Sequence, residues 1–598
     1  MRHNVAVRAQ VIVLAGPSGS GKSRLCRRLG LPFVNLDDFY KDGDDPTLPS
    51  LDLGGGSPIV DWDSPVSWHR AHALDTIERL DLLTMEGIDG EFANLLTPPG
   101  NGIARDTLDA HFRTRPRAEW LELLDGAGVP CGPVGKRDDW FASETVRANG
   151  MRVELDHPEL GRVAIPGVPV IFADTPGEVR ELVRDVAPED LPPHTPTADG
   201  APREGITNGH GPLSGVTVLD FGQVIAGTYP SSILASWGAN VIKVESPGGD
   251  IFRTYGLGFL GYNHGKRGIV IDLKQEAGRE TLHDLVRHAD VVIDNFRMGV
   301  TERLGMDHAT LSAINPRVIT ISVTGYGPKG PLARKPGFDP LLQAISGIMH
   351  HQGGGQEPIF HQLPVNDVAA GMTTAFATAA ALYAREQTGR GQHIDTSLAN
   401  VSVVCQTPDI TEVPGRQPPI EGSLDCAGVS ALRRFYRCAD GWIAIAVSDP
   451  AQFHGLCNAL EHPIWAARHI AEQALAAPVD GDLAGEIASV LAEMPREEAL
   501  DRLLAHGVPA APDAGDPALY EDSWLRASGL WAEYEDPVFG TITAVSGFAA
   551  YGRTPGGFRY GVPRLGEHTR EVLREAGFDD ARLEALEAAG GIAQFREL

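Results

Sequence analysis

Short apolar, β-branched runs alternate with helix-like stretches through the middle of this chain. Residues 216–220 form one such run, a helical segment follows over 229–237, and 239–245 is the next run. The pattern recurs at 268–273, 291–296 and 318–323. Repeated βα units with continuous apolar strands predict an α/β fold, a mostly parallel sheet covered by helices on both faces. A small-residue run over 372–382 predicts a closely packed helix.

Near the start, the apolar run Val11-Ile-Val-Leu-Ala precedes Gly16-Pro-Ser-Gly-Ser-Gly21-Lys22-Ser23 and a helix-like stretch. Strand, glycine loop and helix in this order predict a P-loop, with backbone amides and Lys22 on the phosphates of a nucleotide such as ATP, and Ser23 on Mg²⁺. With Leu36-Asp-Asp-Phe-Tyr and Val60-Asp-Trp-Asp following, residues 9–80 resemble the front of a uridine-kinase-type P-loop kinase, which would give Asp37 the task of activating a hydroxyl. The remaining strands of such a kinase are missing.

An internal repeat accounts for what comes instead. Pro116-Arg recurs as Pro495-Arg, Gly128-Val-Pro as Gly507-Val-Pro, Gly161 as Gly540 and Thr175-Pro-Gly as Thr554-Pro-Gly, always 379 residues apart. Residues 85–190 therefore read as a partial copy of the chain's own rear section. The repeat also disposes of a Walker B reading of the run ending at Asp174, because its counterpart carries Arg553 in place of the acid. Asp174 is expected at the surface at a strand end. A Pro-rich polar stretch, 191–210, reads as a spacer, so residues 1 to about 190 are expected to be dispensable.

With 42% hydrophobic and 22% charged residues, the 598-residue chain matches globular proteins and is long enough for several domains. Its 79 acidic and 51 basic residues give a net charge of −28, which disfavours nucleic acid or an anionic membrane as partner. Six cysteines without a CxxC pair indicate neither a metal site nor a disulfide framework, and a cytoplasmic location is expected.

From 211 onward the segments Val218-Leu-Asp-Phe, Gly238-Ala-Asn-Val-Ile-Lys-Val-Glu, Asp294-Asn-Phe-Arg-Met-Gly, Thr324-Gly-Tyr-Gly-Pro, Thr388-Gly-Arg-Gly-Gln-His-Ile-Asp and Leu565-Gly-Glu-His-Thr stand in order. In these the chain resembles the family III CoA-transferases, which include formyl-CoA and carnitine CoA-transferases. The resemblance implies a Rossmann-like sheet domain over 211–425, a smaller domain over 426–530 and a return segment over 531–598, after a truncated P-loop fragment (1–84) and the partial copy (85–190). It also implies coenzyme A as substrate, moved between an acyl-CoA and a small carboxylic acid, and a homodimer.

The family's catalytic aspartate falls on Asp367, within Pro364-Val-Asn-Asp-Val-Ala-Ala-Gly. A helix N-terminus beside it is expected to keep the carboxylate ionised and to offer amides to an oxyanion. On local pattern alone, Asp367 also reads as a helix cap. For coenzyme A the resemblance points to Lys274, Asn295, Phe296, Arg297, Arg303, Phe338 and Asp339. The chain departs from the family where formyl-CoA transferase has a Gln-Ser pair and an arginine, here Ile225, Ala226 and Ser246. No counterpart of that enzyme's glycine-rich loop stands between Gly422 and Arg433, and Gly353 to Gly355 reads as a turn. The related racemases place histidine before the aspartate matching Asp339; Phe338 stands there, removing one base of a two-base racemisation. A nucleoside kinase and a catalytically silent scaffold are the alternative readings.

Overall fold

A computed structural model describes residues 111–179, 211–419, 421–513, 516–536, 540–545 and 549–595, with Asp109, Gly547 and five short strands among the first 86 residues. The chain divides into two compact units, 1–133 and 134–598. In the first, strands Gln10–Val13, Leu82–Glu86 and Phe33–Asn35 lie side by side and parallel. Gly16, Gly21, Lys22, Ser23 and Asp37 lie outside the described residues.

The second unit is built on an eight-stranded sheet. Its strands are β1 (Ile171–Phe172), β2 (Thr217–Asp220), β3 (Asn240–Glu245), β4 (Lys266–Ile271), β5 (Val291–Asp294), β6 (Ile319–Thr324), β7 (His393–Ser397) and β8 (Ile592–Ala593), in the order β8-β4-β3-β2-β5-β6-β7-β1. The six central strands are parallel and only the two edges run antiparallel. Alternation along each strand feeds two cores. Leu219, Ile242 and Ile269 pack with Val572, Leu573 and Leu583 on one face, and Val218, Val241 and Ile293 with Ala375, Ala377 and Leu234 on the other. The strand order reverses between β2 and β5, the place where open α/β sheets bind ligands. Every apolar run expected as a strand in the middle of the chain is one, with ends shifted by up to two residues.

The smaller domain has an antiparallel sheet of Gly428–Ser430, Arg433–Cys438, Gly441–Ala446 and Ala510–Pro512. Helices Pro450–Ala459, Asp482–Ala492 and Arg496–Ala505 cover it around Tyr436, Phe453, Trp465 and Leu503.

The repeat holds element by element. Helices Arg117–Gly126 and Glu144–Ala148 and strands Arg152–His157 and Gly161–Pro166 recur, 379 residues on, as Arg496–Ala505, Ser523–Ala527, Trp531–Asp536 and Gly540–Val545. Residues 134–179 of the first copy are built into the second unit. β1 extends the sheet along β7, and Trp140, Phe141 and Met151 are buried among Val323, Leu398 and Val401. The Arg152 guanidinium donates to both Glu412 oxygens at 2.7 and 2.8 Å, and Asn149 Nδ2 donates to the carbonyls of Tyr326 and Lys329. Glycine permits the approach at Gly347, where a Cβ would stand 2.4 Å from the Arg137 nitrogen. The Pro-rich spacer is thus not a boundary that few contacts cross. Asp174 is exposed just beyond β1, where its backbone N–H donates to Gln392 Oε1.

Candidate active site

Helix Val365–Thr388 places Asp367 in its first turn. The helix starts seven residues before the small-residue run expected from sequence, and it ends at Gly389, whose φ of 73° is the left-handed conformation that glycine supplies at helix ends. Its N-cap is Pro364, so Asp367 is not a cap. At Gly371 a Cβ would meet the Tyr229 Cβ at 3.0 Å, so glycine lets this helix close on helix Tyr229–Ser236. Tyr229 in turn stands edge-on to Tyr262, 5.2 Å between ring centres.

Asp339, expected at the coenzyme A site, is instead buried behind Asp367 at 2% exposure. Its carboxylate accepts from Asn366 N at 2.8 Å, Asn366 Nδ2 at 3.0 Å and Gln343 Nε2 at 2.6 Å. The backbone N–H of Asp367 also donates to it. Asp339 therefore caps the Val365–Thr388 helix from another element, taking first-turn amides that would otherwise have favoured a charge on Asp367. The expected ionising influence of the helix end is thus spent on Asp339. Among the described residues the Asp367 carboxylate has no hydrogen bond or ion pair, and burial, then the Asp339 charge, pushes its pKa up to about 7. The Asp367 charge in turn helps burial push up the Tyr262 phenol.

The loop after β2 forms the next wall and is held from below by buried ion pairs. Lys266 Nζ, fully buried, donates to Asp220 Oδ2 at 2.8 Å, and Lys243 Nζ lies 3.2 Å from Asp250 Oδ2. Both Asp250 oxygens accept the N–H of Val224, a β-branched residue at φ 62°. Such a conformation costs about 1–3 kcal/mol and persists only where its surroundings impose it. Lys243 within an otherwise apolar strand was the sequence signal for this network; its partners lie 7 and 21 residues away and had none.

The expected coenzyme A residues separate into groups. A cavity of about 150 Å³ at the ends of β2–β5 is lined by Lys274 and Phe296, with Ser246 and Gln223. Asn295 stands behind it, exchanging two 2.9 Å hydrogen bonds with the Gln223 backbone. Arg297 and Arg303 are exposed on the turn and helix that follow. Phe338 is exposed immediately before Asp339, next to the start of the catalytic helix. Ile225 and Ala226 are buried. The turn at Gly353 to Gly355 has positive φ at its last two residues and packs against Glu421 and Gly422.

A second cavity, about 360 Å³, opens beside the catalytic helix. Val365, two residues before Asp367, lines it together with Arg137, His351, His361, Gln406 and Ser423. Arg137 comes from the first repeat copy, and no sequence motif marked it. Among the described residues no group of His, Cys, Asp or Glu could hold a metal ion, and no helix is long and apolar enough to cross a membrane.

Known proteins resemble this chain over much of its length. A succinate–glutarate CoA-transferase of Agrobacterium fabrum is 32% identical over 383 residues, 61% of this chain and 95% of that protein. The alpha subunit of the succinyl-CoA–L-malate CoA-transferase of Chloroflexus aurantiacus is 32% identical over 380 residues, 61% of this chain and 88% of that protein. A crystal structure of a CAIB/BAIF family protein from Brucella suis superposes with a TM-score of 0.54 at 26% identity, over 61% of this chain and all of that one. The model of CoA-transferase family III matches residues 98–183 and again 213–569, the first match falling on the repeat copy. The chain belongs to CoA-transferase family III, a family of enzymes that move coenzyme A between an acyl-CoA and a carboxylic acid.

Proposed function

We propose that the transfer runs through covalent intermediates on Asp367. The observation that carries this reading is a carboxylate in the first turn of the helix that has no hydrogen bond or ion pair among the described residues, while its neighbour Asp339 is locked by hydrogen bonds. An Asp367 oxygen attacks the thioester carbonyl carbon, the C–S bond breaks, and a mixed anhydride and coenzyme A thiolate result. The thiolate attacks the aspartyl carbonyl, releasing the donor acid and leaving an aspartyl thioester. The acceptor carboxylate attacks that carbonyl and expels the thiolate again. Attack of the thiolate on the acceptor's acyl carbon then gives the new acyl-CoA and frees Asp367.

Each step exchanges one activated acyl bond for another, so neither ATP nor Mg²⁺ enters. In this reading Lys274 and Phe296, which line the 150 Å³ cavity, take part of coenzyme A, and the exposed Arg297 and Arg303 supply positive charge to its phosphates. Asn295 acts through the loop it holds. A homodimer as the assembly completes the reading.

Intact-mass measurement of the protein incubated with an acyl-CoA tests it. The expected result is a coenzyme A adduct on the peptide containing Asp367, absent from Asp367→Ala, whose turnover falls at least a thousandfold. Normal turnover of a folded Asp367→Ala protein overturns it.

A further inference from the structure

The cavity that Arg137 enters has the chemistry of an anion site. The side chain is 8% exposed, its Nε donates to Gln406 Oε1 at 3.2 Å, and its Nη1 lies 3.4 Å from Asp409 Oδ2 without a good hydrogen bond. Asp409, its ion-pair partner among the described residues, is itself 40% exposed and at the edge of contact, and Asp138 and Glu421 act on the guanidinium only from farther away. A buried guanidinium so weakly neutralised favours a second carboxylate, which it can grip with two parallel N–H donors. Across the cavity, the buried His361 Nδ1 has no hydrogen-bond partner among the described residues. His361 is joined to the catalytic helix through Gln343, which hydrogen-bonds to its backbone N–H and carbonyl and to Asp339.

The repeat shows that the module does not need this charge to fold. At the position of Arg137 the second copy carries Asp516, the opposite sign. The arginine therefore belongs to the copy that reaches the catalytic helix. We propose that this cavity takes the far carboxylate of a dicarboxylic acid substrate, with Arg137 as its ion-pair partner and His361 as a further polar contact, while the near carboxyl reacts at Asp367. The inference rests on the Asp367 reading above and adds to it a specificity residue, Arg137, outside the segment that carries Asp367.

The test is steady-state transfer by the full-length enzyme to glutarate and to butyrate, which differ by one terminal carboxylate. The wild-type enzyme is expected to favour glutarate, and Arg137→Met to lower the glutarate-to-butyrate ratio of kcat/KM at least tenfold, mainly through KM. Arg137→Lys should recover part of the ratio. Asp409→Asn removes the competing anion and should lower the KM for glutarate severalfold, so the two sites move the ratio in opposite directions, which a merely structural defect would not do. An unchanged ratio in Arg137→Met, or an equal loss for both acids, overturns the proposal. If that variant does not fold, Asp409→Asn decides, an unchanged glutarate KM being the overturning result. The coenzyme A adduct on Asp367 is measured in parallel: its absence from the wild-type enzyme defeats the covalent reading, whereas a normal adduct with an unchanged ratio defeats only the Arg137 assignment.

Discussion

At the scale of single residues, Asp367, the proposed nucleophile, is kept short of charge. Burial and the neighbouring Asp339 push its carboxyl up to about 7, so near neutrality only part of the enzyme carries the attacking carboxylate. Because the ionised form reacts, kcat/KM should rise with pH through about 7 and level off above it. Asp339→Asn keeps an oxygen for the Asn366 amide but removes the charge, so the rising limb should move to lower pH even as misplacement of the helix lowers the plateau. A pH–rate profile of both proteins checks this, and a limb that stays in place removes Asp339 as a cause. The raised value also has a stability cost. The unfolded chain loses this proton near pH 4 and the folded one near 7, so the penalty is absent below pH 4 and grows until about pH 7.

At the scale of elements, the catalytic helix is placed by what it lacks. Ala370, Gly371, Thr374 and Ala375 give it a face thin enough to meet the Tyr229–Ser236 helix, and Gly371 leaves no room for a side chain beside Tyr229. Gly371→Val must therefore push the helices apart or turn Tyr229 away. Overpacking of this kind costs about 1–3 kcal/mol, and the displaced first turn should reduce transfer more than the lost stability accounts for. Thermal unfolding alongside kinetics separates the two, and a variant with normal turnover would mean the contact is not needed to place Asp367.

For the molecule as a whole, residues 134–179 of the first repeat copy are part of the second unit, which holds Asp367. They contribute an edge strand and the buried side chains Trp140, Phe141, Val146 and Met151. A chain beginning near Gly205 loses all of these and uncovers Leu398 and Val401, so it should aggregate or lose transfer activity. The second copy offers a different fate. Its counterparts to Trp140, Phe141 and Thr145 are Leu519, Tyr520 and Trp524, which are exposed at 40, 44 and 73%. Light scattering and a transfer assay on the shortened chain decide it, since a soluble, active monomer would show that the first copy is not required.

What the sequence alone determined was whatever depends on local pattern. Apolar runs became strands because each is buried on both faces of a parallel sheet, and the 379-residue register recurs in space because equal sequence makes equal helices and hairpins. Asp367 was singled out through its motif as the proposed nucleophile. Only the tertiary structure decided which residues share its environment. Asp339 lies 28 positions before it and was singled out for coenzyme A rather than for this helix end, and Arg137 lies 230 positions before it in the first repeat copy without a local mark. A cap supplied from a separate element and a cation delivered by a docked copy depend on long-range packing. The same long-range contacts raised the Asp367 carboxyl to about 7, through burial and the Asp339 charge, where the helix end alone was expected to keep it ionised.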